Sequence, residues 1–142
     1  MRNVSQIIER KGSQVVSVTR QAPVLEAIRV MAEHHIGAVL VMEGEQLLGI
    51  ASERDYARKV VLQGRSSSDT PVHAIMSAPV VCVGPQDSVT DCMAIMTERH
   101  IRHLPVIDGG RLAGILSIGD LVKELIEDQK QEISYLQQYI AG

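Results

Sequence analysis

Hydrophobic and polar positions follow two different periods along the first third of this chain. The apolar runs Val15–Val18, Ile36–Met42 and Leu47–Ala51 are typical of strands, and the middle run is apolar enough for a strand buried on both faces. Apolar residues recur at helical spacing from Val24 to Ala32, and a second helix is predicted from Ser52 to about Leu62. The pattern therefore predicts a strand, a helix, two strands and a helix.

The same pattern returns 65 residues later without a gap. Of the 41 positions from Val15 to Asp55, 16 carry the same residue in the second copy. Three of the shared positions form a motif, in which Gly49, Ser52 and Asp55 are matched by Gly114, Ser117 and Asp120. Each copy has about 50 residues, which is too few for a good core alone, so we expect the two to pack together as a pseudo-two-fold pair.

The repeat also defines the predicted organisation and an α/β (α+β) fold class. We expect a helical lead-in at 1–12, the first β-α-β-β-α repeat at 13–64, a linker with a second lead-in at 65–77, the second repeat at 78–128 and a helical extension at 129–142. Amphipathic spacing from Leu121 to Ile140 makes the last helix longer than its counterpart in the first copy. A surplus amphipathic helix covers a neighbouring surface, in its own chain or in a second subunit.

Composition narrows the class of protein. The 142 residues include no Phe or Trp, so the core must be aliphatic. A net charge of −3 gives no general attraction to nucleic acid or to anionic membranes. Cys82 and Cys92 match no zinc or redox spacing and fall within a predicted strand and helix, so both are expected in the core. With no signal peptide and no long apolar run, the sequence predicts a soluble cytoplasmic protein.

The repeated motif has two chemical interpretations. Each copy places Ser and Asp where a strand turns into a helix, and such a turn presents backbone N–H groups and the positive end of a helix dipole to phosphate. Asp55 or Asp120 would then accept hydrogen bonds from two neighbouring hydroxyls, such as those of a ribose. The same Ser-x-x-Asp spacing is also a capping arrangement, which needs no ligand. The two roles are compatible.

The sequence resembles a known family over nearly its whole length. The doubled Gly-apolar-apolar-Ser-x-x-Asp motif, the lead-in Val72–Ser77 and the strand Ile101–Asp108 are similar to the tandem cystathionine-β-synthase (CBS) domain pair, or Bateman module. The resemblance implies that the chain binds an adenosine-containing ligand, such as AMP, ADP, ATP or NAD, in the cleft between the repeats. It also implies a disc-like homodimer.

The resemblance assigns expected roles to particular residues. Ribose hydroxyls are expected at Asp55 and Asp120, and phosphate or ribose contacts at Ser52, Arg54, Ser117 and Arg102. The adenine pocket is expected from Val16, Ile36, Ala38, Val81, Ile101, His103 and Pro105. The copies differ, because Arg54 corresponds to Gly119 and Arg102 to Gly37.

We therefore predict a regulatory module that needs no cofactor, responds to an adenine nucleotide and passes the change to an unidentified regulated protein. No sequence motif of a hydrolase, metalloprotease or P-loop enzyme is present, so no catalytic residue is predicted. Two alternatives remain at this point. The chain is a dimerisation scaffold with vestigial sites, or it binds a different ligand or a metal through His34, His35, His100 and His103.

Overall fold

The computed structural model describes residues 2–12 and 14–141, which form two compact units. The first-repeat unit contains Gln14–Val81. The second-repeat unit contains Cys82–Gly142 together with the N-terminal segment Met1–Ser13. The chain therefore starts in the second-repeat unit, builds the first-repeat unit and then returns.

The first-repeat unit is a three-stranded sheet with helical segments. Its elements are β1 (Ser17–Thr19), α2 (Val24–His34), β2 (Ala38–Glu43), β3 (Gln46–Ser52), α3 (Glu53–Tyr56), a π-helical segment (Ala57–Val61) and a 3₁₀ turn (Val72–Ala74). β1 is parallel to β2, and β2 is antiparallel to β3. The core is aliphatic, as expected, and includes Val24, Met31, Val39, Val41 and Ile75.

The second-repeat unit begins with α1 (Val4–Lys11) and continues with α4 (Val89–Arg99), β4 (His103–Asp108), β5 (Arg111–Ser117) and α5 (Ile118–Ala141). β4 and β5 pair antiparallel, in the same register as β2 and β3. The predicted C-terminal helix is confirmed, as a single helix of 24 residues.

The first strand differs between the copies and from the prediction. In the first-repeat unit it is displaced to Ser17–Thr19, and the carbonyl of Val16 accepts a hydrogen bond from Leu40 N at 3.2 Å. The residue equivalent to Leu40 is Pro105, which has no N–H to donate. Among the described residues, the predicted strand around Val81 is reduced to one parallel bridge, between Val83 and Val106.

Two further expectations need correction. The second helix of the first copy, predicted as one helix from Ser52 to about Leu62, is a four-residue α-helix that continues as the π-helical segment. Leu62 N therefore donates to the carbonyl of Ala57, five residues earlier, at 3.0 Å. Cys92 is buried as expected, but Cys82 is exposed, because its segment does not form an interior strand.

The two lead-in segments dock in equivalent ways. Val4 N donates to Asp87 O at 2.9 Å, and Val72 N donates to Ala22 O at 2.8 Å. Asp87 and Ala22 are repeat equivalents, so α1 packs on the second repeat as the segment after Pro71 packs on the first. The segment that precedes the second repeat in sequence thus belongs to the first-repeat unit.

Each docked lead-in crosses β3 or β5 at the glycine of the repeated motif. A Cβ added to Gly49 would lie 2.5 Å from Met76 Sδ and 3.0 Å from the carbonyl oxygen of Ser77. A Cβ added to Gly114 would lie 2.7 Å from Ile8 Cδ1. Close approach of the lead-in therefore explains why both copies have glycine before the Ser-x-x-Asp turn.

We predict that Gly49→Ala lowers the free energy of unfolding by about 1–3 kcal/mol, the usual cost of overpacking. Gly114→Ala should cost less, because the end of the Ile8 side chain can rotate whereas the Ser77 carbonyl is part of the backbone. Urea unfolding measures both effects. Gly84→Ala is the control, since its added Cβ would meet nothing closer than 3.8 Å. A Gly49→Ala variant as stable as that control would contradict this explanation.

Candidate functional site

The Ser-x-x-Asp turn forms a reciprocal capping box in both units. Ser52 Oγ accepts from Asp55 N at 3.1 Å, while Asp55 Oδ2 accepts from Ser52 N at 2.9 Å. Ser117 and Asp120 repeat the arrangement, with Asp120 N to Ser117 Oγ at 3.2 Å and Ser117 N to Asp120 Oδ2 at 2.8 Å. The capping interpretation of the motif is confirmed. Each box also holds a half-buried carboxylate in a fixed position.

Backbone pairing brings the capping box beside the start of the preceding strand. Ala38 pairs with Ser52, and Glu53 N donates to the carbonyl of Gly37 at 3.0 Å. In the second-repeat unit His103 pairs with Ser117, and Ile118 N donates to the carbonyl of Arg102 at 2.9 Å. In each unit the serine and aspartate of the capping box therefore lie at the end of the sheet where β2 or β4 begins, beside Ala38 or His103.

The side chains expected to line the adenine pocket differ in exposure. Ala38 and Pro105 are buried, whereas the other five are partly exposed, namely Val16, Ile36, Val81, Ile101 and His103. Arg54 and Arg102 are exposed, and neither makes a side-chain hydrogen bond or ion pair with another described residue. Both guanidinium groups are therefore uncommitted within the described part of the chain.

Lys11 is a site residue that sequence reasoning missed. Its Nζ lies 2.6 Å from Asp120 Oδ2 and 2.8 Å from the carbonyl oxygen of Ile115. In the first-repeat unit the cation near the matching carboxylate comes from the adjacent helical turn, where Lys59 Nζ lies 3.3 Å from Asp55 Oδ1. Lys11 is more than 100 residues from Asp120 in sequence, so no local sequence pattern predicts that the two residues are in contact.

Charge and burial shift two pKa values in the second-repeat unit. Burial opposes ionisation of Asp120, but hydrogen bonds from Lys11 and Ser117 and the charge of Lys11 hold its pKa below the usual 3.8. Burial lowers the pKa of His103, with the Lys11 and Arg102 charges acting in the same direction against Asp120. The site therefore favours a carboxylate beside a neutral imidazole.

A cluster of ion pairs positions Lys11. Glu124 on α5 is buried, yet its two carboxylate oxygens lie 2.7 Å from Arg2 Nη1 and 2.6 Å from Arg10 Nη1. Arg2 Nε also lies 2.6 Å from Asp128 Oδ1. These pairs fix α1 against α5 and so hold Lys11 beside Asp120. A buried carboxylate needs such partners, because desolvation without them is costly.

Two clefts in the described part of the chain lie apart from the residues predicted to bind a ligand. Clefts of about 660 Å³ beside Arg2 and Gln131, and about 420 Å³ beside Leu48 and Met76, include no candidate site residue. Among the residues described, no three His, Cys, Asp or Glu side chains converge to hold a metal ion. His35 and His100 instead end α2 and α4 in the left-handed conformation.

Comparison with known proteins agrees with this architecture. A family model described as the CBS domain matches residues 4–62 and 72–127, which is most of the chain. The chain belongs to the CBS domain family. Both matched segments contain one Ser-x-x-Asp capping box, so the CBS pair predicted from the repeat is confirmed.

Three relatives show how far the similarity extends. The mitochondrial CBS domain-containing protein CBSX3 of Arabidopsis thaliana is 37% identical, over 98% of this chain and 72% of its own length. The structure of a CBS-domain protein from Burkholderia ambifaria is 53% identical with a TM-score of 0.87, over 90% of this chain and 96% of its own. The CBS domain protein PAE2072 of Pyrobaculum aerophilum, solved in complex with AMP, is 26% identical with a TM-score of 0.75, over 89% and 99%.

Among the described residues, no helix is both long enough and apolar enough to cross a membrane.

We predict that His103 makes this CBS pair less stable as the pH falls below about 6.5. The unfolded chain takes up a proton there, whereas folded His103, with its lowered pKa, resists protonation. His103→Gln should therefore flatten the dependence of the unfolding free energy on pH between about 7 and 5. Chemical denaturation across that range measures the slope, and His34→Gln, at an exposed helix end, is the control. An unchanged slope in His103→Gln would contradict the assignment.

Proposed function

We propose that this CBS pair is a non-catalytic regulatory module whose ligand is an adenine nucleotide: AMP, ADP, ATP or an NAD-type dinucleotide. The observation that carries the proposal is the pair of equivalent carboxylates, each fixed by a capping box beside the strand residues expected to meet adenine. The AMP complex of PAE2072 supports the choice of ligand class.

The capping box and ribose binding use different oxygens of the carboxylate. The described contacts of Asp120 all involve Oδ2, and the cap of Asp55 likewise uses Oδ2. Oδ1 of either residue is then the acceptor for ribose hydroxyls, although Lys59 lies 3.3 Å from that of Asp55. A carboxylate held on a rigid turn binds a diol at a lower entropic cost than a mobile one.

The phosphate groups of the nucleotide are bound by the two arginines whose guanidinium groups have no other described partner. Arg54 follows the cap of the first repeat, and Arg102 precedes β4 in the second. Neither guanidinium has to break an ion pair with a described residue in order to bind phosphate, for which its planar donors are well suited. The ligand then acts by linkage, since a nucleotide bound more tightly by one arrangement of repeats or subunits shifts the population toward it.

The remaining parts of the proposal concern partners and location. We propose a homodimer that passes the nucleotide signal to a separate regulated protein in the cytoplasm, without binding nucleic acid or a membrane. The exposed apolar face of α5 favours the scaffold alternative, in which association needs no nucleotide. The two functions respond differently to ligand and to substitution at the carboxylates.

We predict that Asp55→Asn and Asp120→Asn each weaken nucleotide binding at their own site by about 10-fold or more, because a hydrogen bond to a charged group contributes roughly 1.5–3 kcal/mol. Asparagine retains an oxygen for the backbone N–H of Ser52 or Ser117, so the cap and the fold should persist. Isothermal titration with AMP, ADP, ATP and NAD measures binding to protein first freed of bound nucleotide.

Glu53→Gln is the matched control, since Glu53 is exposed in the same turn and lies outside the capping box. Guanosine monophosphate tests the base preference. In thermal unfolding, a saturating ligand at about 100 times its Kd should stabilise the folded state by about 2.7 kcal/mol. Wild-type affinity in the double Asp→Asn variant would exclude the ribose role, and no binding by the wild type would favour the scaffold.

A further inference from the structure

One face of α5 carries apolar side chains that the chain itself does not cover. The exposed fraction is 41% at Val122, 46% at Ile126, 55% at Ile133, 61% at Leu136 and 82% at Ile140. With the exposed Gln129 these positions are separated alternately by four and three residues. This alternation of four and three is the spacing of the a and d positions of a coiled coil, and it marks a seam along the helix.

We propose that this seam, residues 122–140 of α5, pairs with the same seam of a second copy as a parallel, two-stranded coiled coil. In heptad notation isoleucine occupies the three a positions, 126, 133 and 140, and the d positions carry Val122, Gln129 and Leu136. Among parallel coiled coils, β-branched residues at a with leucine at d favour two strands. The proposal does not depend on nucleotide binding.

The contacts of α5 within its own chain leave the seam available. Asp120 pairs with Lys11, Glu124 pairs with Arg2 and Arg10, and Asp128 pairs with Arg2. These three acids occupy the b, f and c positions. The buried Leu121 is also at a c position. These positions lie on the side of the helix opposite a and d. The helix is therefore anchored to its unit by one face while the other remains free for a second helix.

Charge favours the parallel orientation. In an antiparallel pair that aligns all six seam positions, Gln129 of one copy lies opposite Ile133 of the other. The flanking Lys130 would then face the other copy's Lys130, and Glu132 would face its Glu132, which places like charges together. In the parallel pair Lys130 faces Leu125 and Glu132 faces Gln137, with no like-charge contact. Gln129, at the central d position, then meets its own equivalent in the second copy.

Sedimentation equilibrium tests the association. Leu136→Glu places a charge in the seam, and Gln138→Glu adds the same charge at the outer f position. We expect the dimer dissociation constant to rise at least 10-fold in Leu136→Glu and to be unchanged in Gln138→Glu. A wild-type chain that is monomeric at tens of micromolar, or equal dissociation constants in the two variants, would overturn the proposal.

Cross-linking tests the orientation and remains informative if another surface also holds the dimer. In a Cys82→Ser background, Gln129→Cys places a thiol at the centre of the seam, and Gln138→Cys places one outside it. A parallel pair in register should give a disulfide-linked dimer under mild oxidation from Gln129→Cys only. Equal yields at both positions, or none at Gln129, would overturn the parallel seam.

Discussion

The two capping boxes are the interactions on which the rest of the candidate site depends. In each copy the aspartate satisfies the serine N–H, and the serine satisfies the aspartate N–H, so the strand can turn directly into a helix. Because the same contacts orient the carboxylate, local folding and the presentation of an acceptor are one event. A serine cap without the aspartate would still begin the helix, but it would leave no carboxylate to accept hydrogen bonds from a diol.

The two copies have acquired different electrostatic surroundings on this shared framework. Asp55 is approached by Lys59 from its own helical run, whereas Asp120 is held by Lys11 from a segment at the other end of the chain. The cation beside Asp120 therefore depends on the position of α1, which Glu124 fixes through two arginines. Two turns with the same motif thus differ in which part of the chain supplies the cation beside the carboxylate.

The sequence predicts the parts of this structure that depend on local spacing. The repeat offset locates both capping boxes, and the helical period locates α2 and α5. Among the described residues, the first strand of the second repeat is reduced to one bridge, where Pro85 and Pro105 have no N–H to donate, and the hydrophobic pattern does not register that loss. Lys11 and Glu124 were missed for a different reason: each has a partner more than 100 residues away, and a pattern read over short windows cannot pair them.

Because the chain begins and ends in the second-repeat unit, the two units differ in whether a single continuous fragment contains all of their contacts. Residues 14–81 form one uninterrupted segment that contains its own lead-in, so a fragment cut at those points keeps its contacts with the 3₁₀ turn. A fragment beginning at residue 82 would lack α1, and the carboxylate of Glu124 would remain without either arginine. The second-repeat unit is therefore complete only when the first dozen residues are present, either joined to it in one chain or added as a separate peptide, as in a split protein.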